Sequence, residues 1–139
     1  FDGTIKDNII FGSSRKFSHQ DLLKSIEMAR LSDVIKQLPL GINENIGSEI
    51  KTLSSGQKQR ITIARSFYNN RQLMIFDEAT NALDNENERR IIENLKFYSK
   101  KSTIIIISHN LENLKICDYV YRLNNGCLSK LNLENLTKN

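Results

Sequence analysis

With 139 residues, 39% hydrophobic and 26% charged, the chain is long enough for one packed core and too short for two comfortable domains. That balance excludes a disordered polymer, and the longest apolar runs, Leu73–Phe76 and Ile104–Ile107, fall far short of the roughly 20 residues that cross a bilayer as a helix. The net charge of +4 admits a phosphate-rich ligand, but no basic run is longer than a pair such as Lys100-Lys101, so nucleic acid is not an expected partner.

The N-terminal Phe1-Asp2-Gly3 carries no initiator Met and reads as a domain entered partway through. Thr4–Phe11 is a short amphipathic piece closed by Gly12. Ser18, with Asp21 at the reciprocal capping position, opens a predicted helix through about Leu38. Leu22, Ile26 and Ala29 form one face, which Leu31, Val34, Ile35 and Leu38 continue until Pro39 and Gly41 end it. A polar loop from Gly41 to Thr52 leads into Leu53-Ser54-Ser55-Gly56-Gln57. The next helix shows Gln57, Ile61, Ala64 and Tyr68 at helical spacing, and Asn69-Asn70 breaks it.

Leu73–Phe76 then reads as a buried parallel strand that ends in Asp77-Glu78. Asn85, with Glu88 three residues on, is the predicted cap of a helix whose Ile91, Leu95 and Tyr98 share a face. Thr103–Ile107 is a second apolar strand, ending at Ser108-His109. Tyr119–Leu123 and Cys127–Leu131 flank Asn124-Asn125-Gly126 as an antiparallel hairpin. Strand, helix, strand with polar residues at the strands' carboxyl ends is a doubly wound α/β pattern, in which ligands bind at those ends. Asp77, Glu78 and His109 all fall there. Cys117 and Cys127 form no C-x-x-C pair and His19 stands apart from His109, so reduced thiols and no zinc site are expected.

Each polar cluster has a chemical and an ordinary reading. An acidic pair after an apolar strand can hold Mg²⁺ through one carboxylate and deprotonate a water through the other, or it can simply face solvent. Ser54, Ser55 and Gly56 at a helix start can present N–H groups to an anion, or serve only as a cap. His109 can donate to a phosphate or sit at the rim of a sheet, and Asn81-Ala82-Leu83-Asp84 by itself reads as a turn into a helix.

Taken together and in this order, the clusters strongly resemble the ABC ATPase family over nearly the whole chain, from Phe1 to about Lys130. Leu53–Gln57 is similar to the family signature, Leu73–Glu78 to the Walker B strand, Asn81–Asp84 to the D-loop and His109 to the H-loop. Phe1–Ile9 is similar to the stretch after the Q-loop in exporters, Met28–Gly41 to the exporter helical subdomain, and Asp77-Glu78-Ala79-Thr80 has Ala where many importers have Pro.

The resemblance implies an incomplete P-loop NTPase domain, with a helical subdomain and signature helix over about 1–70 and the Walker B and H-loop part of the sheet core over about 71–139. It also implies ATP and Mg²⁺, a second nucleotide-binding domain across the ATP, and a transmembrane domain of the same transporter at the cytoplasmic face of a membrane. Ser54, Ser55, Gly56 and Gln57 would reach a γ-phosphate held by the partner. Asp77 would support Mg²⁺, Glu78 would activate water, His109 would contact the γ-phosphate and Asp84 would join the two sites.

Three departures accompany the resemblance. No G-x-x-x-x-G-K-[ST] is present, so the chain by itself is not expected to hydrolyse ATP. Ser55 stands where the family most often has Gly, and Gly47-Ser48-Glu49-Ile50 replaces a usual Gly-Glu-Arg-Gly run. A soluble ABC ATPase working on DNA or ribosomes, and a non-catalytic interaction fragment, remain alternatives at this point. The strands are expected to expose faces that the rest of such a domain would cover.

Overall fold

A computed structural model describes residues 1–47 and 53–132. It opens with α1 (Ile5–Ile10), which begins at a capping box: Thr4 Oγ accepts from the Asp7 N–H, and the Asp7 carboxylate accepts from the Thr4 N–H. Thr4 also forms an isolated antiparallel bridge with Asn45, closing the chain back on its start.

The helix expected through about Leu38 stops at Met28. α2 spans His19–Met28, and α3 is a separate turn over Ser32–Lys36. Between them Arg30 takes φ +58°, while Leu31 N–H donates to Ile26 O and Arg30 N–H to Glu27 O. This is the Schellman closure of a helix, here without glycine. Apolar spacing continues past it because Leu31 is buried on the far side of the break. Ser18 does cap α2, but the reciprocal half of the expected box is absent. Asp21 instead pairs with Arg15 at 2.9 Å, and the Ser18 N–H donates to Tyr68 Oη.

A 3₁₀ turn at Gly41–Asn43 occupies part of the expected loop, whose Ser48–Thr52 section lies outside the described residues. α4 (Ser55–Asn69) lies against α1 and α2, and Asn70 ends it in the left-handed region. One apolar core joins Ile5 and Ile9 of α1, Leu22 and Ile26 of α2, and Ile61, Ala64 and Phe67 of α4 to the later elements.

Those later elements are β1 (Leu73–Asp77), α5 (Asn85–Tyr98), β2 (Thr103–Ile107), α6 (Leu111–Leu114), β3 (Val120–Asn124) and β4 (Cys127–Leu131). β1 and β2 are parallel, with Leu73 opposite Thr103 and Asp77 opposite Ile107. The hairpin β3–β4 forms a sheet of its own, turning through Asn125 and Gly126 with φ +48° and +77°. Both turn residues being left-handed is the type I′ geometry that Asn-Gly favours.

Two further expectations need correction. The apolar run of β1 predicts a buried strand, yet only Met74 and Phe76 are buried; Leu73 is 52% and Ile75 60% exposed, as are Ile105 and Ile107 of β2 to 44% and 50%. The helices cover one face of the parallel pair, and no described residue covers the other. The cap of α5 is Asp84, not Asn85: Asp84 is extended, and its Oδ1 accepts from the Asn87 N–H at 2.9 Å. Both residues have a polar group three positions on, but the Glu88 N–H that an Asn85 cap would accept from donates to Asp84 O inside the helix.

Candidate functional site

The parallel register sets Asp77 beside Ile107, so the two polar strand ends open into neighbouring loops. Glu78 is the first residue beyond β1. Its N–H donates to Ile107 O at 2.9 Å, and it holds φ +46°, a region non-glycine residues seldom adopt. The turn aims its carboxylate outward. One oxygen accepts from Asn81 Nδ2 at 3.0 Å, and the other meets His109 Nε2 in a short contact. The Glu78 side chain is 41% exposed and that of His109 is 87% exposed. Glu78 and His109, separated by a strand and a helix in sequence, therefore face one open space.

Asp77 is exposed at the end of the strand. Among the described residues no three His, Cys, Asp or Glu side chains gather into a metal cage. Mg²⁺ beside phosphates takes only one or two protein carboxylates and retains water, a demand that a single carboxylate here fits.

Asp84 lies at the far end of the loop from Glu78. Hydrogen bonds from the Asn87 backbone, then from its side chain at 2.6 Å, hold the Asp84 carboxyl below the usual carboxylate range. Arg60 on α4 adds a smaller electrostatic push in the same direction. Arg60 is itself anchored, donating from Nη1 to Arg30 O at 2.7 Å across the break between α2 and α3. Burial pulls its guanidinium below its ordinary range.

At the start of α4, Ser54 and Gln57 form a full capping box: Ser54 Oγ accepts from the Gln57 N–H, and Gln57 Oε1 accepts from the Ser54 N–H. Gln57, placed by its spacing on the apolar face with Ile61, thus turns its amide back to the helix start. The Ser54 hydroxyl still has its own O–H to donate. The N–H groups of Ser55 and Gly56 belong to the first turn, where no intrahelical acceptor exists, and the helix dipole favours an anion there. Gly56 has a steric reason to be glycine. A Cβ at this position would lie 2.6 Å from Ala82 O, because the first turn of α4 rests on the loop after β1.

The structure thus brings Glu78 and His109 together and seats Gly56 on the Asn81–Asp84 loop, while Ser54, Ser55 and Gln57 form the helix start beside it. Three contributors have contacts that no motif in the sequence assigns. Gln59 donates from Nε2 to Glu78 O at 3.1 Å and accepts from the Ala82 N–H at 3.0 Å. Asn81 holds the Glu78 carboxylate. Glu88 accepts from Thr80 Oγ1, Asn110 Nδ2 and Asn113 Nδ2, tying the loop after β1 to the loop after β2. Asn81 acts on a neighbour three positions away, whereas Gln59 and Glu88 act on partners that folding alone brings near.

The fold, a parallel strand pair with an acidic end beside a capped helix, agrees with the comparisons to known proteins. The sequence profile of the ABC transporter family matches residues 3–81. That is more than half of the chain, and the chain belongs to this family. Among individual relatives, the ATP-dependent lipid A-core flippase of Francisella tularensis subsp. holarctica (strain OSU18) is 40% identical over 126 residues, covering 91% of this chain and 21% of that protein. The flippase of the same name from Photobacterium profundum is 39% identical over the same length, 22% of its own. A solved structure of a bacterial Atm1-family ABC exporter with ATP bound matches 93% of this chain and 23% of its own, with a TM-score of 0.85 and 32% identity. The chain spans about a fifth of the length of the curated relatives it matches.

Proposed function

We propose that this chain is the signature-to-H-loop portion of a nucleotide-binding domain that hydrolyses ATP to power an exporter-type ABC transporter. The observation that carries this reading is the meeting of Glu78 with His109 and Asn81 at the carboxyl ends of two parallel strands. Glu78 accepts the proton of a water aimed at the γ-phosphate, and Asn81 and the Glu78 backbone turn fix the direction of its carboxylate. His109, exposed just beyond the end of β2, exchanges its contact with Glu78 for one with the γ-phosphate when ATP arrives. Asp77 supplies a carboxylate for Mg²⁺, which when bound neutralises charge developing on the phosphates.

Ser54, Ser55, Gly56 and Gln57 form the anion-facing helix start that closes on ATP held by a second such domain, with Asp84 reaching across the same interface. Residues up to about 70 form the helical subdomain and signature helix, and those from about 71 the core part. A transmembrane domain at the cytoplasmic face of the membrane receives the closing motion.

Phosphate release by the complete protein carrying this chain tests the reading. Steady hydrolysis in wild type and a loss of about 100-fold or more in Glu78→Gln, with ATP still bound, are expected. A Glu78→Gln variant retaining half the wild-type rate would sink it. The 139-residue chain alone, having no G-x-x-x-x-G-K-[ST] loop, should release no phosphate above an enzyme-free control.

A further inference from the structure

The turn that aims Glu78 is held from outside itself. Glu78 sits in the left-handed region without being glycine, a conformation that persists only where surrounding contacts over-determine it. On one side the contact is the Glu78 N–H to Ile107 O of β2. On the other, besides the Asn81 N–H donating to Glu78 O at 3.3 Å within the turn, it is a single side chain of α4. Gln59 Nε2 donates to Glu78 O at 3.1 Å, while Gln59 Oε1 accepts from the Ala82 N–H at 3.0 Å. One planar amide thus spans the whole turn from its first residue to its fifth. A carboxamide offers a donor and an acceptor in one rigid plane, whereas an ionised carboxylate only accepts.

The Gly56 backbone rests on Ala82 O one helical turn earlier, so α4 grips the loop at two successive points. Any displacement of the start of α4 is therefore delivered to the Glu78 peptide.

We propose that Gln59 is a positioning residue for hydrolysis: it holds Glu78 in its working conformation and makes that conformation depend on where the signature helix sits. The hydrolytic part of this inference rests on the proposed function; the grip on the turn does not. Gln59→Leu removes both hydrogen bonds. Gln59→Glu keeps an acceptor for Ala82 but sets a carboxylate oxygen against Glu78 O.

Both variants are to be made in the complete protein, with steady-state ATPase and amide exchange of the 78–83 segment measured on the same samples. Gln59→Leu should lower kcat about tenfold with KM for ATP within about threefold, and speed exchange in 78–83 while the 60–68 segment of α4 is unchanged. Gln59→Glu should lower kcat similarly but retain slow exchange at Ala82. A kcat within about twofold of wild type in Gln59→Leu overturns the positioning role, as does a loss of protection throughout α4 in both variants, which would mark a general packing defect. If wild type hydrolyses no ATP, the proposed function falls. The exchange measurement then decides alone: unchanged 78–83 protection in Gln59→Leu refutes the grip, and faster exchange sustains it.

Discussion

Glu88→Ala is the substitution whose cost the structure defines most closely. One oxygen of Glu88 accepts from both Thr80 Oγ1 and Asn113 Nδ2 at 2.8 Å, and the other from Asn110 Nδ2 at 3.2 Å. Thr80 is only 6% and Asn113 only 5% exposed, so water cannot readily replace the lost acceptor. Asn113 keeps a long contact to Ser108 Oγ at 3.5 Å, which offsets little. Each stranded buried donor costs about 1–3 kcal/mol, so Glu88→Ala should destabilise by about 2–5 kcal/mol.

Glu88→Gln keeps the oxygen that serves Thr80 and Asn113 and loses only the exposed Asn110 bond, a cost of about 1 kcal/mol. With roughly 3 °C per kcal/mol for a domain of this size, the melting midpoint should fall about 6–15 °C for Ala and about 3 °C for Gln. Thermal unfolding at micromolar concentration, followed by far-ultraviolet circular dichroism, reads both values. An Ala variant melting within about 2 °C of wild type, or a Gln variant as damaged as Ala, would refute the claim that Glu88 acts as a buried acceptor.

Three further outcomes follow from other parts of the structure. Arg65 donates from Nε to Asn8 O at 2.7 Å and its guanidinium lies over the rings of both Phe1 and Phe11, so Arg65→Lys should cost about 1–2 kcal/mol in denaturant unfolding despite keeping the charge. Burial, and to a lesser extent Asp118, pushes the half-buried Cys117 thiol up, whereas Cys127 is exposed. Iodoacetamide at about pH 8 should alkylate Cys127 roughly tenfold faster, as read by mass spectrometry of the two peptides. Asp84 has its carboxyl lowered in the folded chain, so its contribution to stability is present above the unfolded-state value and is lost as pH falls through the folded one. The midpoint difference between wild type and Asp84→Asn should therefore shrink on acidification below the usual carboxylate range. A difference constant from neutral pH down to that range and beyond would contradict it.

The candidate site was legible where its proposed chemistry is written in contiguous residues. Asp77-Glu78 after an apolar strand, His109 after another and Ser54–Gln57 before a helix are local patterns, because strand ends and helix starts expose the groups that bind ligands. The partners that aim those residues were not legible. Gln59 to Ala82 spans 23 residues and Glu88 to Asn113 spans 25, and nothing in either sequence neighbourhood distinguishes them from surface polar groups. At the cap of α5 two candidates fit locally, and the extended backbone of Asp84, whose carbonyl accepts from the Glu88 N–H, decides between them.

Periodicity, capping residues and turn chemistry determined by themselves the strands β1 and β2, the α4 and α5 helices and the Asn-Gly hairpin. These depend on short-range sterics and hydrogen bonds that each segment carries with it. Only the tertiary structure decided that the helix after Ser18 breaks at Arg30, where Arg60 reaches the carbonyl from another helix. It alone also showed that β1 and β2 are buried on one face only and that Glu78 is held by α4. Burial and long-range hydrogen bonding are properties of what packs alongside a segment, and an unbroken apolar run reads the same whether one face is covered or two.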